Sequence, residues 1–161
     1  MFDLDETLIK ATNDPTKFVS GVYDVKSVLN LEVLSKKDIY ISFRPYLFEM
    51  LSTLKRHFEI VLFTAGFDVY AETIVKEIHK QGRFFDHVIT RENCTPHPKG
   101  RNQIKDLILL LEGRSIKDIM IVDNRAMSFA IHFTNGIPIK DYEGDKSDNT
   151  LQHLTPYLLS F

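Results

Sequence analysis

Asp3-Leu4-Asp5-Glu6-Thr7-Leu8 stands at the start of the chain, and how this stretch is read decides the fold. Two acids two residues apart, then a threonine, are bracketed by the apolar Phe2, Leu4, Leu8 and Ile9. The pattern predicts the end of a buried strand running into a loop. Carboxylates at the carboxyl end of a strand face the crevice in which open α/β sheets bind ligands. Alternate residues share a strand face, so Asp3 and Asp5 leave on the same side unless the chain has already turned into the loop. One carboxylate can then attack phosphorus and hold a hard cation while the other handles protons. Read alone, the stretch fits an exposed acidic turn equally well; residues further along separate the two readings.

Short apolar segments at 2–4, 60–63, 87–89 and 119–122 read as strands, with a shorter one at 137–139 broken by Pro138. Continuous Ile- and Val-rich runs of this length suit strands covered on both faces of a parallel sheet. Helical spacing predicts helices over 45–57, with Pro45 in the first turn, and from an Asp68 cap to Gly82. A third is predicted over 103–112, bracketed by Asn102 and Gly113, and a last over 148–159, kinked at Pro156. Strands alternating with helices predict an α/β fold with a doubly wound, mostly parallel sheet. Residues 10–43 break the alternation. Phe18-Val19-Ser20, Val22-Tyr23-Asp24-Val25, Leu31-Glu32-Val33 and Ile39 to Phe43 carry period-two patterning, which predicts a small antiparallel meander inserted after the first strand. Placed above the acids, such an insert is a lid or a substrate-docking surface. The alternative is a sheet extension without contact to substrate.

Composition narrows the class. A length of 161 residues predicts a single domain, 1–161, with a substantial core. A net charge of −2 gives no general attraction to nucleic acid or anionic membrane. The one cysteine, Cys94, excludes an internal disulfide and fits a reducing compartment. No signal peptide or membrane-spanning run is visible, so the expectation is an intracellular protein, nuclear or cytoplasmic. The first strand should be central, yet only Met1 and Phe2 precede Asp3, so a strand truncated at its N-terminus is expected.

Further parts of a phosphate site follow in chain order. Thr64 ends the second strand, where a hydroxyl and the next backbone N–H groups can hold phosphate oxygens. Asp123-Asn124 ends the wholly apolar strand at 119–122 and supplies oxygen-bearing side chains near the first acids. Oxygen ligands with a partly open shell suit Mg²⁺. Lys105, near the start of the predicted third helix, can reach a phosphate or a carboxylate as a point charge. Each has a bland explanation, but four in order at strand ends and helix starts do not share one. The histidines lack metal-ligand spacing such as H-E-x-x-H. His97 and His132 read as loop and packing residues, Cys94 as buried, and Phe84, Phe85, Phe129 and Phe133 as core.

Asp3-x-Asp5-x-Thr7, Val61-Leu62-Phe63-Thr64-Ala65, Ile104-Lys105-Asp106-Leu107 and Ile121-Val122-Asp123-Asn124 resemble the four motifs of the haloacid dehalogenase superfamily. More narrowly, the chain resembles the small, NLI-interacting-factor-like phosphatases of the RNA polymerase II C-terminal domain. Arg44-Pro45, Tyr70-Ala71, Arg91-Glu92-x-Cys94 and Ser147-Asp148-x-x-Leu151 match as well. The resemblance covers the whole chain and implies a Mg²⁺-dependent serine/threonine phosphatase. In it Asp3 is the nucleophile, forming an aspartyl-phosphate, and Asp5 is the acid and base. Thr64 and Lys105 would stabilise the transferring phosphoryl group, while Thr7 and Arg91 would serve substrate binding. Mg²⁺ would be held by Asp3, the Asp5 carbonyl, Asp123 and Asn124. The implied substrate is a phosphoserine peptide such as the polymerase repeats, or another phosphoprotein. A non-catalytic binding module, like the mitochondrial inner-membrane translocase subunit that shares this domain, is the alternative of a different class. Departures from the pattern are Gly66, where Ser is common, and Arg125-Ala126, where Ser-Pro is usual; Arg125 is expected to point outward. The 95–101 loop is about two residues longer than usual, and its Lys99 and Arg101 are expected to bind acidic groups flanking the scissile phosphate.

Overall fold

In a computed structural model of the chain the described residues are 1–32, 35–97 and 103–161. Beyond the opening loop, β1 (Ile9–Thr12), β2 (Val25–Glu32) and β3 (Ser35–Phe43) form an antiparallel sheet in the order β1-β3-β2. Ile9 pairs with Phe43 and Val25 with Ile41. The insert is therefore antiparallel as expected, but it is not a meander, because β1 pairs with β3. Residues 18–20 form a turn rather than a strand. Pro15–Lys17 is a 3₁₀ turn capped by Asp14, whose carboxylate accepts the Thr16 N–H. Gly21 takes a left-handed φ of 64°, and Phe18 is buried against Gly144. Val33, placed in a strand by the sequence pattern, lies outside the described residues. Along β3 the first four residues are exposed while Ile39, Ile41 and Ser42 are buried; on β2, Leu29, opposite Lys37, is buried in the main core.

α1 (Leu47–Leu54) buries Leu47, Met50, Leu51 and Leu54 at helical spacing. It starts later than predicted: Tyr46 is left-handed at φ 65° and Pro45 precedes the helix. α2 (Asp68–Ile78) follows β4 (Val61–Phe63) and buries Ala71, Ile74 and Ile78. Asp68 is its first residue rather than its cap, and its carboxylate instead accepts a hydrogen bond from Thr90. β5 (His87–Ile89) pairs in parallel with β4.

The predicted helix at 103–112 is absent. β6 (Thr95–Pro96) and β7 (Gln103–Ile104) form an antiparallel pair, then Asp106 caps a 3₁₀ turn, Leu107–Leu110. The apolar run 107–111 has no helical spacing, and within the turn only Leu107 is buried. Asn102 lies outside the described residues. β8 (Ile121–Asp123) pairs in parallel with β9 (Gly136–Pro138), which ends at Pro138 on the sheet edge. α3 (Thr150–Leu158) contains Pro156. Phe84, Phe85 and Phe129 are buried as expected, whereas Phe133 is exposed and Cys94 half-buried.

The parallel strands join into one sheet through Phe2, which bridges Leu62 on one side and Val122 on the other. The Phe2 N–H donates to Val61 O at 2.9 Å and its carbonyl accepts from Phe63 N at 2.8 Å, while Asp3 N–H donates to Val122 O at 2.9 Å. The strand order is thus β5-β4-Phe2-β8-β9, an open, doubly wound α/β sheet. Helical residues Met50, Leu51, Ile74 and Leu151 pack with Leu4, Leu62 and Val122 in the main core. Each such aliphatic side chain is worth about 1.5–3 kcal/mol of burial. Among the described residues no helix is long and apolar enough to cross a membrane.

Candidate active site

Asp3 emerges from the sheet centre between the carboxyl ends of β4 and β8. Its buried carboxylate is held by both oxygens: Lys105 Nζ donates to Oδ1 at 2.5 Å and Thr7 Oγ1 to Oδ2 at 3.0 Å. The same Lys105 ammonium donates to Asp123 Oδ2 at 2.7 Å. Lys105 is only 1% exposed and is fixed in depth by its backbone N–H, which donates to Ser128 O at 2.7 Å. Burial alone would weaken its charge, but Asp3 and Asp123 outweigh that and hold it above the ordinary lysine value. Burial, with Asp3 alongside, pushes the Asp123 carboxyl up.

Past Asp3 the backbone turns at once. Glu6 is left-handed at φ 58°, its N–H donates to Ile9 O, and the N–H groups of Leu8 and Ile9 both reach Leu4 O. Asp5 thereby bridges to Ile9 at the start of the turn, and lines the same cleft as Asp3. Its carboxylate accepts a hydrogen bond from the Tyr70 hydroxyl. Burial raises the Asp5 pKa to about 7, against the pull of the Tyr70 bond and helped by the charges of Asp3 and Glu6.

Asp123 and Asn124 close the other side. Asp123 Oδ1 accepts from Arg125 N at 2.8 Å. Asn124 gives its backbone N–H to Thr7 Oγ1 at 3.2 Å and its Nδ2 to Asp141 at 2.9 Å. The Thr7 hydroxyl also lies 3.3 Å from Asn124 Oδ1; with one proton to give, it favours the shorter bond to Asp3. Thr7 is fully buried, so its hydroxyl ties Asp3 to Asn124 rather than facing the opening. Among the described residues no three His, Cys, Asp or Glu side chains form a metal-holding group. The converging donors are two carboxylates and one amide, a sparse set of hard oxygens. That set fits Mg²⁺, which takes one or two carboxylates and leaves its other positions to water and phosphate.

Thr64 is fully buried at the end of β4, with Oγ1 accepting the Gly66 N–H at 2.9 Å. Its own O–H remains to donate. Arg91 opens a 3₁₀ turn after β5; its Nε donates to Ala65 O at 2.6 Å and its guanidinium stacks over Phe67 at 4.6 Å. Asp3, Asp5, Lys105, Asp123, Asn124 and Arg91 all line one cleft of about 320 Å³; the buried Thr64 is not among its lining residues, but its Oγ1 is hydrogen-bonded to Gly66, which is. Arg125 also lines its rim, 66% exposed and 3.6 Å from Glu6. Lys99 and Arg101 lie outside the described residues.

The side chains that support this loop are not paired by the sequence alone. Arg44, 1% exposed, donates through Nε and Nη2 to Asp148 at 3.0 and 2.9 Å and through Nη1 to Thr7 O at 3.0 Å. Asp148 in turn accepts the Thr150 N–H at the start of α3. Burial would raise Asp148, but Arg44 outweighs it and holds the carboxyl below the usual range. Arg44-Pro45 and Ser147-Asp148 are visible as motifs, but a separation of 104 residues hides the contact.

Compared with known proteins, residues 1–161 match the family model described as NLI interacting factor-like phosphatase. The CTD small phosphatase-like protein 1 of Caenorhabditis elegans is 35% identical over 98% of this chain and 30% of its own length. The human carboxy-terminal domain RNA polymerase II polypeptide A small phosphatase 1 is 32% identical over 98% of this chain and 56% of its own length. The chain therefore spans about half or less of these relatives. The solved structure of Fcp1, an essential RNA polymerase II CTD phosphatase, superposes over 99% of this chain and 48% of its own, with TM-score 0.68 at 24% identity. Fission yeast Fcp1 in a variant bound to beryllium fluoride gives TM-score 0.65 at 22% identity, over 99% of this chain and 49% of its own. At these identities the two structures bear on the fold alone.

Proposed function

The chain belongs to the NLI interacting factor-like phosphatase family, and on that premise we propose that its 161 residues form one catalytic domain that hydrolyses phosphoserine or phosphothreonine in proteins through an aspartyl-phosphate on Asp3. The observation that carries this reading is the buried Lys105 ammonium bridging Asp3 and Asp123 at 2.5 and 2.7 Å, with Asp5 on the same cleft. A phosphomonoester dianion repels a carboxylate nucleophile, and the lysine offsets that repulsion where the charge develops.

Asp3 attacks phosphorus as the bond to the seryl oxygen breaks, and Asp5 gives that oxygen its proton. Asp5 then takes a proton from the water that hydrolyses the acyl phosphate, regenerating Asp3. A carboxyl with a pKa of about 7 is suited to both tasks near neutral pH. Thr64 and Lys105 hold the transferring oxygens; Arg91 binds the phosphate or the peptide beside it; Thr7 keeps Asp3 in place. Asp3, Asp123, Asn124 and the Asp5 carbonyl are the groups that would hold Mg²⁺. When bound, the cation neutralises the phosphoryl oxygens. The substrate is an extended phosphopeptide laid across the insert, and the names of the relatives point to RNA polymerase II C-terminal repeats. The setting is intracellular, nuclear or cytoplasmic.

The test is turnover of a phosphoserine peptide with Mg²⁺ and with chelator, beside Asp3→Asn. Metal-dependent hydrolysis lost in the variant is expected. Wild-type rates in Asp3→Asn would sink the assignment. A panel of phosphopeptides separates polymerase repeats from other phosphoproteins.

A further inference from the structure

Tyr70 lies on α2, outside the set of groups assigned above, yet its hydroxyl reaches Asp5 Oδ1. The ring gets there by lying against the backbone of Gly66. A Cβ added at Gly66 would stand 2.7 Å from Tyr70 Cδ1 and 3.2 Å from both Cε1 and Thr64 Oγ1. Real Cβ atoms essentially never show the first of these contacts, so a larger residue at 66 requires the tyrosine ring or the backbone beneath it to shift. The phenol is the donor in this contact, since a tyrosine hydroxyl keeps its proton at neutral pH and a carboxylate oxygen can only accept. A phenol that always donates to Oδ1 has a consequence for the acid: when Asp5 is protonated, its proton sits on Oδ2.

We propose that Tyr70 is a positioning residue for Asp5, holding Oδ1 so that Oδ2 presents the proton to the leaving oxygen, and that Gly66 provides the space this requires. The proposal rests on the phosphatase reading and adds to it a determinant of leaving-group protonation. As the P–O bond to the leaving group breaks, the Oδ2 proton passes to the departing oxygen. Asp5 is left as a carboxylate, still held at Oδ1 by the phenol. Without that bond the carboxyl is free to rotate, and protonation of a poor leaving group suffers most.

The experiment compares kcat/KM for nitrophenyl, phenyl and benzyl phosphates in the wild type, Tyr70→Phe, Gly66→Ala and the double variant, with thermal unfolding as a folding check. These small esters make no use of a peptide-docking surface, so a role for Tyr70 in peptide binding does not affect the series. The expected loss in Tyr70→Phe grows with leaving-group basicity, from about 3-fold on nitrophenyl to about 30-fold on benzyl phosphate, part of the ~10²–10⁴ a positioned acid contributes. Gly66→Ala should show the same steepening, and the double variant should add nothing to Tyr70→Phe. An equal loss on all three esters in Tyr70→Phe overturns the positioning role. If adding Gly66→Ala to Tyr70→Phe steepens the series further, the role given to Gly66 is overturned. An inactive but folded wild type would defeat the phosphatase reading itself, and the proposal with it.

Discussion

At the residue scale the site is a balance of charges taken out of water. Asp3 and Asp123 share one ammonium, and removing one member of such a cluster leaves its partners uncompensated. Asp5 stands apart, with its pKa raised to about 7 chiefly by burial. The direction sets a pH dependence. As an acid Asp5 works only while protonated, so kcat/KM on a phosphoserine peptide should fall tenfold per unit as pH rises above about 7. Steady-state kinetics across neutral pH check this, and Asp5→Asn should lack that limb. A profile with the same fall in Asp5→Asn would assign the titration to another group. Asp3, Asp5, Thr64, Asp123 and Asn124 stand out in the sequence because each ends or adjoins a short apolar run, whereas Lys105 reads there as the start of a helix that does not form. The Tyr70 contact with Asp5 is not, since its partner lies 65 residues away and the tyrosine also fits an apolar helix face.

At the element scale the loop that carries Asp3 and Asp5 is clamped from outside. Arg44, at the end of β3, ties Thr7 O to Asp148, which also accepts the Thr150 N–H at the start of α3. Asp148→Asn leaves the buried guanidinium without its charge partner, and should cost about 3–5 kcal/mol in urea unfolding. Asp148 is held below the usual range in the folded state. The stability it lends is therefore present above the unfolded carboxylate value and is lost as pH falls through the folded one. The variant should accordingly lose part of the acid-induced destabilisation below about pH 4. A variant as stable as the wild type would show the clamp to be energetically idle. The elements themselves are unevenly legible. The parallel strands β4, β5, β8 and β9 lie within about two residues of their apolar runs, since buried parallel strands announce themselves as continuous apolar runs; the antiparallel strands are read less closely, the stretch at 18–20 being a turn. The helix expected at 103–112 fails because the run 107–111 lacks periodicity and Asp106 closes a tight turn instead.

At the scale of the whole molecule, the proposed chemistry and the proposed recognition surface occupy different parts. The cleft sits on the carboxyl ends of the parallel strands, while the β1-β3-β2 sheet rises from the loop that carries the acids. Ser27 on β2 donates to Glu77 on α2 at 3.1 Å, which anchors the insert to the helix that also carries Tyr70. Val22, Tyr23, Val28 and Leu31 remain exposed on the insert. Val28→Asp should raise KM for a phosphoserine peptide severalfold and leave kcat/KM on nitrophenyl phosphate unchanged. Equal KM for the peptide in variant and wild type would remove the insert from recognition. The insert is recognisable from its period-two pattern, but its strand order is not, because pairing β1 with β3 depends on tertiary packing rather than on sequence proximity.

The proposed mechanism stands or falls on a covalent phosphoryl group at Asp3. The direct measurement mixes the protein with Mg²⁺ and a phosphoserine peptide, quenches in acid during turnover, and maps the phosphoryl group by peptide mass spectrometry. One acid-stable, base-labile phosphoryl group should appear on the peptide containing Asp3, absent with chelator and absent in Asp3→Asn. Turnover at the same rate with no phosphoryl group on that peptide, or with the group on another residue, would contradict the mechanism.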